Sequence, residues 1–190
     1  MDEQLAAELL AMKAEDLRVR DQLACDGSLF DGYHPRMEEL HRRNAARLQE
    51  IIAERGWPGQ SMVGQQATEA AWMIVQHDIA EPQFMRGMLE IFRKEAARGE
   101  LQAKWAALTE DRIRMFEGRP QLYATNSSWN EHGELGIGEV EDPGGLDQRR
   151  AAVGLPPFSD VGTPPNEPSL KNPQEFYRRY LEWLHRVGWR

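Results

Sequence analysis

Apolar residues recur every three or four positions through about the first 117 residues, which is the spacing of one face of an α-helix. Five segments show this pattern, at about 5–23, 35–55, 64–78, 82–99 and 99–118. Glycine or proline lies at the segment ends, as in Gly56-Trp57-Pro58-Gly59 after the second segment. The pattern predicts about five packed helices. The third is apolar nearly all round and is expected at the centre.

The amino-acid composition changes after Gly118, where proline and glycine become frequent. Segments 121–125 and 136–140 are predicted to pair as a β-hairpin. Prolines between 156 and 168 indicate an extended linker, and Asn172-Pro173 then begins a last helix. The predicted fold class is therefore mainly α, a bundle of about five helices with a small β-hairpin and a C-terminal helix after a proline-rich linker.

These elements predict three parts of the chain: a single helical domain with the hairpin at 1–155, the linker at 156–171 and the C-terminal helix at 172–190. A length of 190 residues suits one continuous core. The C-terminal helix carries an apolar stripe of Phe176, Tyr180, Trp183, Leu184 and Val187. We expect this stripe to pack on its own domain or, by exchange, on a partner subunit in a homodimer.

Composition excludes several classes of protein. Lys and Arg number 23 and Asp and Glu number 31, and the net charge of −8 opposes a nucleic-acid binder. No apolar run reaches the roughly 18 residues of a membrane helix, and the start lacks a secretory signal pattern. The single cysteine, Cys25, excludes an internal disulfide. We therefore predict a cytoplasmic protein with neither a nucleic-acid nor a membrane partner.

Four predicted helices each place one polar residue within the apolar stripe: Asp16, Asn44, His77 and Arg112. A buried polar group without a partner is costly, so these side chains should contact one another or face a cleft. The simpler interpretation is a structural hydrogen-bond network, or a stripe that turns to solvent. The remaining histidines are expected to be exposed: His34, His41, His132 and His185.

Acid–base chemistry gives these residues candidate roles. His77 is the natural proton-transfer group, because the reference pKa of histidine is about 6.5. Asp111 or Asp16 would orient its ring, and Arg112 would bind an anion. Four further residues are candidates for substrate binding: Asn44, Gln121, Tyr123 and Thr125. The last three alternate along the predicted strand and would share one face, which in the simpler interpretation is only solvated.

Motifs for cofactors and nucleophiles are missing from the sequence. It contains no G-x-G-x-x-G, no phosphate loop, no G-x-S-x-G and no H-x-x-x-H pair. We therefore predict no cofactor and no metal site. A metal-dependent enzyme, with one histidine beside Asp16, Asp78 or Asp111, is the third of three functional alternatives.

Several short motifs together resemble an uncharacterised bacterial family of unknown function. They are Gly56-Trp57-Pro58-Gly59, Gln76-His77, Leu108-Thr109-Glu110-Asp111-Arg112 and Gly118-Arg119-Pro120-Gln121-Leu122-Tyr123-Ala124-Thr125. The resemblance spans roughly residues 10–155 and singles out His77, Asp111, Arg112, Gln121 and Tyr123. The family pattern reads Gln-x-Tyr-Gly-Thr-Gln, whereas this chain has Ala124 and Asn126 at the glycine and the last glutamine. The resemblance implies no particular reaction.

The residues favour a small enzyme of hydrolase or lyase type that acts on a small polar, anionic metabolite. His77 would be the general acid or base, with Asp111 or Asp16 as its carboxylate and Arg112 holding the substrate. The main alternative is a non-catalytic helical domain that binds a ligand or a protein. In that case the buried polar groups are structural.

Overall fold

The computed structural model describes residues 1–30, 32–161 and 172–190. The chain is mainly helical with a small antiparallel sheet, as predicted. Its described helices are α1 (Glu3–Cys25), α2 (Pro35–Arg55), α3 (Gln60–Val63), α4 (Gln65–His77), α5 (Pro82–Ala97), α6 (Ala103–Glu117), α7 (Leu146–Ala152) and α8 (Pro173–Val187). None of these described helices combines the length and apolarity that crossing a bilayer requires.

The chain divides into two compact units, Met1–Leu101 and Gln102–Arg190. The first contains α1 to α5, and α4 packs against both α1 and α2. Most of α4 is buried, and its alanines allow the neighbouring helices to approach closely. The central position predicted for this helix is confirmed.

Local signals define the ends of the first two helices. The Oδ1 atom of Asp2 accepts a hydrogen bond from the N–H of Leu5 at 2.9 Å and caps α1. Pro35 is the first residue of α2. Gly56 ends α2 with a φ of +78°, a conformation that favours glycine.

The second unit contains the hairpin, but at other residues than predicted. Strand β1 (Ser127–Trp129) pairs antiparallel with β2 (Leu135–Ile137), and Ser128 lies opposite Gly136. The prediction of a strand over residues 121–125 was wrong. Gln121 alone pairs with the predicted partner segment, through an isolated parallel bridge to Val140. The N–H groups of Leu122, Tyr123 and Thr125 donate to a carboxylate of α6 instead.

The C-terminal helix α8 begins as predicted, because Oδ1 of Asn172 accepts the N–H of Glu175 at 3.2 Å. Leu184 is completely buried, and the ring of Trp183 meets Phe116 of α6 edge-on at 6.2 Å between centroids. The aromatic stripe thus has a partner within the second unit. Residues 162–171 of the predicted linker lie outside the described residues, and Phe158–Asp160 before them forms a 3-10 turn.

Candidate functional site

Three helices of the first unit each bring one ionisable side chain to a common point. Asp16 comes from the middle of α1, His41 from the second turn of α2, and His77 is the last residue of α4. We call these three residues the Asp16 cluster. The side chains of Asp16 and His41 are buried, whereas that of His77 is 24% exposed. His77 is therefore the member that solvent reaches.

The carboxylate of Asp16 lies between the two imidazoles. Both of its oxygens are 3.0 Å from Nδ1 of His77, and Oδ2 is also 3.0 Å from Nε2 of His41. Burial alone would raise the pKa of Asp16, but the two adjacent histidines hold it well below its usual range. Asp16 is thus an ionised buried carboxylate between two imidazole side chains.

Tyr33 supports the cluster from the far side of His41. Its hydroxyl oxygen lies 2.8 Å from Nδ1 of His41, and it also donates a long hydrogen bond of 3.5 Å to the main-chain carbonyl of His77. Burial, with the negative charge of Asp78, raises the pKa of Tyr33, so the phenol stays protonated. The contact with Nδ1 orients the imidazole, whose Nε2 edge lies beside Asp16.

Two more polar side chains are buried in the first unit. Asp78 is fully buried, and neither carboxylate oxygen has a hydrogen-bond partner within the described part of the chain. Burial, with the charge of Glu81, raises the pKa of Asp78 to about 7 against the opposing charge of Arg42. Asn44, three residues after His41, is also buried, and its Nδ2 has no described partner. Asn44 therefore lies in the core, as its position in the apolar stripe of the sequence predicted.

In the second unit, Asp111 is completely buried and holds residues 121–126, which we call the Asp111 loop. Its Oδ1 accepts the N–H of Leu122 at 2.6 Å and that of Tyr123 at 3.1 Å. Its Oδ2 accepts the N–H of Thr125 at 3.1 Å and the Thr125 hydroxyl at 2.9 Å. Burial raises the pKa of Asp111, although these hydrogen bonds lower it.

The other predicted residues of this unit also contact the Asp111 loop. The amide of Gln121 is buried and bridges the loop, since Oε1 accepts the N–H of Asn126 at 2.9 Å and Nε2 donates to its carbonyl at 2.7 Å. The half-buried Arg112 donates from Nε to Oδ1 of Asn126 at 3.3 Å. Ala124, where the resembling family has glycine, has a φ of +54°. That left-handed conformation explains why glycine suits this position.

The structure brings together Asp16 and His77, the predicted acid–base pair, within the first unit. Asp111, Arg112, Gln121, Tyr123 and Thr125 form a second group in the second unit. The carboxylate that the described contacts place on His77 is that of Asp16.

His41 is the residue that sequence reasoning missed. We expected it to be exposed, and this was wrong, because the residue is only 7% exposed. The signal was its spacing, four positions after Met37 and three before Asn44 on the buried stripe of α2, and the neighbouring Arg42 and Arg43 obscured it. His132 and His185 are exposed as predicted. His34 is half-buried, and its Nδ1 caps α2.

A shallow surface depression in the first unit is lined by exposed residues of α1, among them Leu17, Arg18 and Cys25. It contains none of the candidate site residues. The Asp16 cluster is the candidate site of the first unit, because one carboxylate and two imidazoles meet there.

Residues 3–162 match the model of a protein family described as a family of unknown function (DUF6624). The matched range includes both the Asp16 cluster and the Asp111 loop and stops before α8. No curated protein and no solved structure matches the chain.

Proposed function

Because the chain belongs to DUF6624, a family of unknown function, its chemistry has to be argued from its own side chains, and we propose that it is an enzyme whose reaction occurs at the Asp16 cluster. The reaction class is a proton-coupled hydrolysis or elimination on a small polar metabolite. One observation carries the proposal: a buried, ionised carboxylate holds a histidine whose side chain is 24% exposed. Apolar packing would serve stability alone more simply.

Each residue of the cluster has a separate role. Asp16 accepts the Nδ1–H of His77, which fixes the tautomer and assigns proton transfer to Nε2 of that ring. His41 contacts the second edge of the same carboxylate, and Tyr33 orients His41. Asp16, His41 and Tyr33 are thus positioning residues, and His77 is the residue that would meet substrate.

In the second unit, we assign Asp111, Gln121 and Thr125 to shaping the Asp111 loop, because they hydrogen-bond one another or its main chain. Arg112 stays the candidate for binding an anionic group, since a half-buried guanidinium binds carboxylates and phosphates well. Tyr123 and Asn44 stay candidates for polar contacts with a ligand.

A substitution at His77 tests the enzyme proposal. The purified chain is incubated with a panel of small phosphate esters, carboxylic esters and hydroxy acids, and conversion is followed by NMR. We expect turnover that falls at least about 100-fold in His77→Gln. The exposed His132→Gln is the matched control and should keep the rate. Because His77 is partly exposed, its substitution should change the free energy of unfolding by about 1 kcal/mol or less.

The opposite pattern would favour a non-catalytic domain. In that case no compound on the panel is converted, and His77→Gln lowers the free energy of unfolding by about 2–3 kcal/mol, the cost of breaking a buried network. A compound that raises the melting temperature without being converted would indicate a ligand-binding domain.

We further propose that α8 packs on its own chain, through Trp183 and Leu184, instead of being exchanged in a homodimer. Removal of residues 172–190 should leave the number of chains per particle unchanged and lower the melting temperature. A full-length dimer that becomes a monomer on this deletion would indicate exchange. Size-exclusion chromatography with light scattering distinguishes the two.

A further inference from the structure

We propose that the Asp16 cluster binds one divalent transition-metal ion, zinc or ferrous iron, through Oδ2 of Asp16, Nε2 of His41 and Nδ1 of His77. The inference rests on the proposed function and deepens it by naming an ion for the site. With the ion bound, Nδ1 of His77 ligates it in place of the proton that it would otherwise donate to Asp16, and Nε2 of that ring remains the proton-transfer atom. It is tested by binding and not by turnover.

The donor set fits such an ion. Two imidazole nitrogens and one carboxylate oxygen are the protein ligands of many catalytic zinc sites and of non-haem ferrous sites. Here each comes from a different helix, and the three donor atoms lie within 4.8 Å of one another. Oδ2 of Asp16 is 3.0 Å from each nitrogen. Ligands that are each about 2.0–2.2 Å from one ion lie roughly 3 Å apart.

Nε2 of His41 is the donor that hydrogen bonding leaves unexplained. It lies 3.0 Å from Oδ2 of Asp16, yet it forms no hydrogen bond within the described residues, because its ring direction misses that oxygen. Two ligands of one ion have this relation, since each is directed at the ion and not at the other. A shared cation explains both the short distance and the misdirection.

Tyr33 favours the tautomer that an ion requires. Its hydroxyl donates toward the carbonyl of His77, so its oxygen can accept the Nδ1–H of His41. The lone pair of His41 is then on Nε2, 3.0 Å from a carboxylate oxygen that also carries lone pairs, and a cation between the two atoms relieves their repulsion. A second partner that holds the far nitrogen of a ligating histidine is a regular feature of metal sites.

Charge around the cluster also favours a cation. Asp78, directly after His77, is completely buried and has no described hydrogen-bond partner. Arg42, directly after His41, contacts the carboxylates of Glu38 at 3.1 Å and Glu81 at 3.4 Å, so these three residues together carry one net negative charge. Three protein ligands would leave a coordination position for water or substrate, as in catalytic zinc sites. The partly exposed His77 provides access to that position.

Direct ion binding tests the inference on the full chain. The protein is stripped with chelator and titrated calorimetrically with Zn²⁺, and protein purified without chelator is analysed for metal content. We expect one ion per chain. We also expect His41→Gln to weaken zinc binding at least about 100-fold, because it removes a ligand. His132→Gln is the control, since His132 is exposed outside the cluster, and it should bind as the unmodified chain does.

Imidazole NMR of the unmodified chain provides a second readout if His41→Gln does not fold. Addition of Zn²⁺ should shift the ring nitrogens of His41 and His77 and leave those of His34, His132 and His185 in place. Absence of stoichiometric binding overturns the inference. Binding that His41→Gln leaves unchanged, or that shifts only the other histidines, overturns it as well.

The result separates the two proposals. If no ion binds while His77→Gln abolishes turnover, the metal site fails and proton transfer by the cluster stands. If one ion binds to His41 and His77 while no compound is converted, the metal site stands and the enzyme proposal fails.

Discussion

Two buried aspartates, Asp16 in the first unit and Asp111 in the second, show that the partners of a carboxylate decide its role. Asp111 accepts hydrogen bonds from main-chain N–H groups and from a hydroxyl, which keep their protons at every physiological pH. Asp16 contacts two imidazoles, the side-chain type whose reference pKa lies nearest neutrality. Asp111 therefore fixes a loop, whereas Asp16 joins the two histidines of the candidate site.

The pKa values of Asp16 and Asp111 differ in opposite directions, as their different partners imply. Burial is the largest single influence on both carboxylates, and by itself it would raise both pKa values. At Asp16 the two histidines outweigh burial, and the pKa falls below its usual range. At Asp111 the neutral donors oppose burial without outweighing it.

The largest effect on stability is expected at Asp111. Asp111→Asn replaces an acceptor oxygen by an NH₂ group that faces buried N–H donors, so at least one donor loses its partner. We expect the free energy of unfolding to fall by about 3–5 kcal/mol in urea denaturation. The exposed Asp21→Asn is the control. A loss below about 1 kcal/mol would contradict the structural role of Asp111.

Asp16→Asn should have a smaller effect on folding and a larger one on chemistry. The amide oxygen can still accept from one histidine, so we expect a loss of about 2 kcal/mol in the free energy of unfolding. Turnover and ion binding should both fall to the level of background. If Asp16→Asn destabilises the chain as much as Asp111→Asn and changes neither activity nor ion binding, Asp16 has only a structural role, like Asp111.

Asp78 is a third buried aspartate for comparison, because neither of its carboxylate oxygens has a hydrogen-bond partner within the described residues. Its ionised form is penalised in the folded chain, because the pKa of about 7 lies above that of an exposed aspartate. At pH 8, Asp78→Asn should therefore raise the free energy of unfolding, by about 1–2 kcal/mol. Asp21→Asn again serves as the control in thermal melts. A lower melting temperature would show that the charge of Asp78 has a stabilising partner.

The smallest expected effect is at Ala124, within the loop that Asp111 holds. Its φ of +54° strains any residue with a Cβ atom, so Ala124→Gly should raise the free energy of unfolding by about 0.5–1 kcal/mol. Ala46→Gly, on the exposed face of α2, should instead lower it by about 1 kcal/mol. Equal losses from both substitutions in urea denaturation would show that the loop does not impose the strain.

Local signals made much of the fold predictable. Pro35 and Gly56 fix the ends of α2 through their own backbone preferences, and the predicted range of that helix agrees with the structure. Which of two neighbouring residues on a helix faces the core was harder to predict. On α6 the sequence favoured Arg112 as the inward residue, whereas Asp111 is the fully buried one. Neighbours on a helix differ by about 100°, so a small rotation exchanges them.

The candidate site was only half predictable because its members come from different helices. Asp16 and His77 interrupt apolar stripes, which marked them in the sequence. His41 belongs to the site through the packing of α2 on α4, and no pairwise motif records that. The strand predicted over 121–125 failed for a related reason. The N–H groups of Leu122, Tyr123 and Thr125 bond to Asp111, more than ten positions earlier in the chain.

The distance along the chain between the cluster residues has a consequence for folding. Asp16 and His77 are 61 positions apart, so their hydrogen bond closes a long loop and comes at a large cost in chain entropy. Helical turns form from neighbouring residues in far less time than such contacts. The ring signals of His77 are therefore a natural reporter of the moment at which α1 and α4 have docked. In refolding they should reach their native values after the helical circular dichroism has recovered.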